Sequence, residues 1–88
     1  MNVYYIDLKN VSAVPALHDA LAAQLSLPDY YGRNLDALHD ILSERRDLDL
    51  IFYNTSGASA AIPEYMERLR KLCRHLERVF GFRIRFYP

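Results

Sequence analysis

The sequence is poor in several things at once: one cysteine, three glycines, four prolines, no tryptophan and no net formal charge in 88 residues. A lone Cys73 cannot form an intramolecular disulfide, and its place in an amphipathic pattern makes it a buried thiol rather than a reactive one. The longest apolar runs, such as Leu50 to Tyr53, fall far short of the ~20 residues a membrane span needs. The N-terminal MNVYYIDLKN has no basic start followed by an apolar stretch, so a cytoplasmic protein with no membrane partner is expected. There is no internal repeat and no low-complexity segment. No glycine-rich run could cradle a phosphate, because Gly32 stands alone, and nothing resembles a nucleophile elbow or an oxyanion hole. His18, His39, His75 and Cys73 are scattered over three helical segments without recurrent ligand spacing, so neither a metal nor any other cofactor is expected.

What is present is the balance of a globular domain, half hydrophobic and a quarter charged. A chain this short buries only about 60–65% of its unfolded surface, enough for one domain spanning residues 1–88. The zero net charge hides an asymmetry. Residues 1–50 hold four cations and eight anions, and residues 51–88 hold seven cations and three anions, giving −4 and +4. Unless the fold mixes them, the molecule has an acidic end and a basic end.

Along the chain, the aromatic and β-branched run at 2–8 reads as an interior strand. Ser12 is placed to cap a helix with Pro15 in its first turn and Val14, Leu17, Leu21 and Leu25 as its apolar stripe, ending before Pro28. LPDYYGRN is a connection in which Gly32 supplies a backbone conformation costly to other residues. A second helix starts near Asn34, which suits the cap, and buries Leu35, Leu38, Ile41 and Leu42. Its outward face then gathers Asp36, His39, Asp40 and Ser43. Residues 47–54 form a second strand whose continuous apolar centre implies cover on both sides. TSGASAA is a small-residue loop with room for one helical turn. A long helix runs from Pro63 to about Val79, with Gly81 just past its end, and 82–88 alternates apolar with basic residues as a third strand with one face less buried. The order strand, helix, helix, strand, helix, strand predicts an α/β fold: a small, mainly parallel three-stranded sheet packed with three to four helices.

Two aspartates one helical turn apart repel by roughly 0.2–0.5 kcal/mol when exposed. As an acid and base pair they would suit an enzyme, but an outward helix face encloses no substrate, and no enzyme is expected. Tyr30 and Tyr31 lie on the loop leading into that face. One of the two is expected in the core; an exposed aromatic beside fixed charges has the composition of a protein-binding surface. The rival surface is the basic cluster Arg68, Arg70, Lys71, Arg74, His75 and Arg78, extended by Arg83 and Arg85. It suits a solvated, ion-paired helix face, docking on an acidic partner, or a contact with nucleic acid, the less favoured partner.

Over Leu27 to Leu42, LPDYYGRNLDALHDIL resembles the barstar family of intracellular ribonuclease inhibitors, whose pattern there is leucine, proline, an acid, two tyrosines, glycine, any residue, asparagine, leucine, aspartate, alanine, leucine, a bulky aromatic and aspartate. Length, element order and the glycine before the last strand extend the likeness more weakly. The resemblance implies a barstar-like fold and a 1:1 complex in which the second helix and its preceding loop plug the active site of a cognate ribonuclease or ribonuclease toxin domain, the free protein being a monomer. Asp40 would take the place of the substrate phosphate and Asp36 would meet a further basic residue. Tyr30 would pack on the catalytic histidine, with Tyr31, Gly32, Asn34 and Ala37 shaping the contact and Arg33, His39, Ser43 and Glu44 around it. Three departures stand out: His39 replaces the bulky aromatic, Arg33 replaces an acid, and the last helix is basic rather than acidic. These point to a target other than barnase, such as a toxin for which this chain is the immunity protein.

Overall fold

Two apolar strands separated by helices can pair in parallel only if the helices carry the chain back across the sheet. A computed structural model describes residues 2–88 and shows this arrangement twice. The elements are β1 (Asn2–Asp7), α1 (Val14–Gln24), α2 (Leu35–Ser43), β2 (Leu48–Tyr53), α3 (Ser56–Ala61), α4 (Pro63–Phe80) and β3 (Arg83–Phe86). The sheet order is β1-β2-β3 and both pairings are parallel, with Tyr5 beside Ile51 and Ile51 beside Arg85. The chain belongs to the α/β class, with three parallel strands and four helices.

Two crossovers of the usual right hand, stepping the same way along the sheet, put all helices on one face. Burial follows that prediction. Ile6, Leu8, Leu50, Phe52 and Ile84 face the helices and form the core with Leu17, Leu21, Leu38, Leu42, Met66, Leu69 and Leu76. Residues of the opposite parity, Val3, Tyr5 and Tyr53, remain 43, 64 and 36% exposed. Two sequence expectations are corrected here. β1 is an edge strand rather than an interior one, and β2, although central, is covered on one side only. Its second face carries Asp49, buried under Arg85, whose Nη2 donates to Asp49 Oδ1 at 2.8 Å.

Three local expectations also change. The N-cap of α1 is Ala13 in extended backbone with no side-chain cap, not Ser12, while Pro15 does lie in the first turn. The TSGASAA segment forms α3, and Thr55 before it donates its hydroxyl to the Tyr87 carbonyl (2.9 Å) instead of capping. Gly32 does not adopt the left-handed conformation; Arg33 does, at φ 54°. Gly81 ends α4 as expected, at φ 73° with its N–H on the Glu77 carbonyl, the geometry that favours glycine there. The expected acidic and basic ends are not kept apart, because α2 packs on α4 and Asp49 pairs with Arg85. Among the described residues, no helix is long and apolar enough to cross a membrane.

Candidate functional site

α2 is built to present one face. Its polar residues fall outside the Leu35, Leu38 and Leu42 stripe that enters the core. Asn34, in extended backbone, caps it by accepting the Ala37 N–H on its Oδ1 at 2.7 Å. That cap and the positive end of the helix favour a carboxylate in the first turn, where Asp36 lies, and so offset the repulsion from Asp40. Asp36 and Asp40 are both exposed. Among the described residues Asp36 has no hydrogen-bond or ion-pair partner, and Asp40 meets only His39, Nδ1 to Oδ1 at 3.5 Å. Two carboxylates about one helical turn apart therefore stand in solvent without a cation. Ser43 spends its hydroxyl on the Asp40 carbonyl (2.8 Å), and Glu44 is exposed at the C-cap.

The preceding loop separates its two tyrosines. Tyr30 is 81% exposed, on the loop that leads into α2. Tyr31 is buried, so of the two it is the core residue. Its hydroxyl lies 2.6 Å from His18 Nδ1, and on the other side of the ring His18 Nε2 lies 2.6 Å from the Tyr65 hydroxyl. A neutral imidazole has one donor and one acceptor nitrogen, so one tyrosine donates to the ring and the other accepts from it. Burial and the nearby Arg33 charge push His18 below the ordinary histidine range, which favours that neutral form. Desolvation likewise raises the Tyr31 phenol to about 12, leaving it a hydroxyl throughout the physiological range.

Residue 19 adds a second tether, Arg33 Nη1 donating to Asp19 Oδ1 between two exposed side chains. Gly32 is small for want of space: a Cβ there would meet the Ala37 Cβ at 3.2 Å and the Asn34 Nδ2 at 3.5 Å. The loop thus presses directly on the first turn of α2, and Gly32, Asn34 and Ala37 fix its path. His39 is partly exposed and leans on α4, its ring 5.4 Å from His75 and 6.4 Å from Phe80.

The rival basic surface is partly consumed within the fold. Arg70 donates to Ser59 and stacks over Phe86, Arg68 lies over Tyr65, and Arg74 pairs with Glu67 at 3.4 Å. Of the cations on that surface, Lys71, Arg78 and Arg83 make no such contact among the described residues. Cys73 is buried in the core, and desolvation raises its thiol to about 12. Of the residues singled out from the sequence, Asp36 and Asp40 lie exposed on α2, His39 partly exposed against α4 and Tyr30 exposed on the preceding loop, whereas His18, Asp19 and Tyr65, which tie that loop down, were not among them. A signal existed for His18, which follows Leu17 on the buried stripe of α1, where a polar ring needs partners.

Comparison with known proteins adds two findings. The family model described as Barstar (barnase inhibitor) matches residues 1–86. A protein of Bacillus subtilis (strain 168) named "Putative ribonuclease inhibitor YrdF" is 48% identical over 50 residues. That stretch is 57% of this chain, and the chain spans about half, 55%, of that relative's length.

Proposed function

This chain belongs to the barstar (barnase inhibitor) family, a family of inhibitors rather than enzymes, and we propose that it inhibits a cognate ribonuclease by seating α2 and the Tyr30–Asn34 loop in the active site. The observation that carries this reading is the pair Asp36 and Asp40, exposed without a cationic partner of their own, on a helix entered through the loop that exposes Tyr30. An enzyme that cleaves RNA must hold phosphates with cations. Two carboxylates on a rigid helix offer those cations charge-assisted hydrogen bonds without a bond to cut. By the family pattern, Asp40 occupies the phosphate position, Asp36 meets a further basic residue, and Tyr30 packs on the catalytic histidine. Tyr31, held by His18, keeps the loop in its bound shape before the partner arrives, which lowers the ordering cost of association.

Arg33, His39, Ser43 and Glu44 frame the acidic pair and set the choice of target. Arg33 places a cation, and His39 a smaller ring, where the family commonly has an acid and a large aromatic. A target less uniformly basic than barnase fits that rim, such as the toxin domain for which this chain is the cytoplasmic immunity protein. The test is capture of the partner from the source cell, followed by titration of its RNA cleavage with the purified chain. Activity is expected to fall linearly to zero at one chain per enzyme. A partner without a basic active-site cleft, or full cleavage in tenfold excess of the chain, would overturn the reading.

A further inference from the structure

The uncovered face of the sheet carries a three-by-three grid of side chains. Its rows, read from β1 to β3, are Val3, Asp49 and Arg83, then Tyr5, Ile51 and Arg85, then Asp7, Tyr53 and Tyr87. Tyr87 lies one step beyond the last β2–β3 pair, Phe52 with Phe86, where its N–H still donates to the Phe52 carbonyl at 2.8 Å and its hydroxyl lies beside Arg85. Among the described residues no helix covers this face, and four of the seven large hydrophobic residues that remain exposed, Val3, Tyr5, Tyr53 and Tyr87, lie on it. We propose that a second copy of this chain packs on this face with its strands crossed at nearly a right angle.

Charge selects the occupant. The grid holds two arginines and two aspartates, and Arg85 is already committed to Asp49, so the face has no net positive charge with which to hold a nucleic-acid backbone. The two remaining charges sit at opposite corners. Arg83 is exposed and has no partner among the described residues, while Asp7 accepts from Lys9 N and Asn54 Nδ2 on Oδ1 only, leaving Oδ2 open. Strands lie about 4.8 Å apart and same-face residues about 6.7 Å apart along them. A two-fold axis through Ile51 at about 45° to the strands therefore brings Arg83 of each copy over Asp7 of the other, in the orthogonal class of sheet packing. The same operation sets Tyr53 against the Arg85 guanidinium and stacks Val3, Ile51 and Tyr87 on their own copies.

The footprint decides the strength. Strands of six, six and four residues cover roughly 250 Å² per copy, so the pair buries less than half of the ~1,200 Å² at the lower end for stable interfaces. The dimer is weak and reversible, a monomer dominates in dilute solution, and α2 with its loop stays uncovered in both copies.

Sedimentation velocity over about 10 µM to 1 mM tests this, a range chosen for an interface of that size. The average mass is expected to climb from one chain toward two. Arg83→Asp alone and Asp7→Arg alone should stay monomeric, while their equimolar mixture, in which both cross pairs regain opposite charges, should dimerise. Tyr5→Ser, at an exposed position outside the core, should abolish dimerisation with an unchanged melting temperature, which separates the surface from any folding defect of Asp7→Arg. A chain monomeric throughout, or a dimer indifferent to both Tyr5→Ser and Arg83→Asp, overturns the proposal. So does a monomer that binds a uridine oligonucleotide through Tyr5.

Discussion

Replacing His18 with leucine removes the hub of the side-chain network that joins α1, the loop and α4. The side chain is 1% exposed, with both nitrogens within 2.6 Å of tyrosine hydroxyls. Leucine fills a comparable volume, so the cost comes mainly from the stranded hydroxyls. Tyr31 is buried and cannot find water, which costs about 1–3 kcal/mol. Tyr65 is partly exposed, so its hydroxyl recovers a water and loses at most ~1 kcal/mol. A loss of about 2–4 kcal/mol is expected from a domain whose whole stability is on the order of 4–13 kcal/mol. At about 4–8 °C per kcal/mol, the melting temperature should drop by roughly 10–30 °C.

Urea unfolding followed by circular dichroism measures the loss directly. Its pH dependence supplies a second readout. The folded-state pKa of His18 lies below the unfolded value of 6.5. Between the two, the unfolded chain binds a proton that the folded chain refuses. The contribution is therefore fully present above about pH 6.5 and is lost as pH falls through the lower, folded value. The parent should lose stability on acidification through this window, and His18→Leu should lose that component. A variant within about 0.5 kcal/mol of the parent at pH 7.5, the range of ordinary surface substitutions, with an unchanged pH profile, would refute the network.

Three further outcomes follow from single contacts. Asn34→Ala removes the acceptor of the Ala37 N–H and should cost about 1 kcal/mol in thermal unfolding, with α2 fraying first. Gly81→Ala forces a side chain into φ 73° and should cost about 1 kcal/mol, although a Cβ there meets nothing within 4 Å, so the loss reports backbone strain alone. Cys73 should resist a thiol reagent such as Ellman's at pH 8 in the native protein and react at once in denaturant, since burial both shields the sulfur and raises its pKa to about 12.

What the sequence made legible was what repeats locally. The Leu35, Leu38 and Leu42 spacing placed α2, left Asp36, His39 and Asp40 on its outer face, and anticipated Gly81 past the end of α4. What it hid depends on partners distant in the chain. Aromatic and β-branched residues mark β1 as a strand equally well at an edge or in the middle, and only the shared direction of two crossovers makes it an edge. The burial of Asp49 was hidden because its partner Arg85 lies 36 residues away. The role of Tyr31 depends on His18 and, through it, on Tyr65, which lies 47 residues from the histidine. Gly32 was given the wrong reason, because the tight approach of Ala37, not its own torsion, is what a side chain there would meet.

The central claim is that the outer face of α2 is the inhibitory surface, and the affinity of Asp36→Ala/Asp40→Ala for the captured ribonuclease tests it most directly. Both side chains are exposed, so the variant should fold at least as well as the parent, relieved of a repulsion of a few tenths of a kcal/mol. Truncating one member of a desolvated charge pair costs about 2–5 kcal/mol, a range that barnase with barstar, the family's namesake pair, helped to set. Binding is expected to weaken by at least ~10²- to 10³-fold, mostly through faster dissociation. An affinity within about threefold of the parent, roughly 0.6 kcal/mol, would contradict the account.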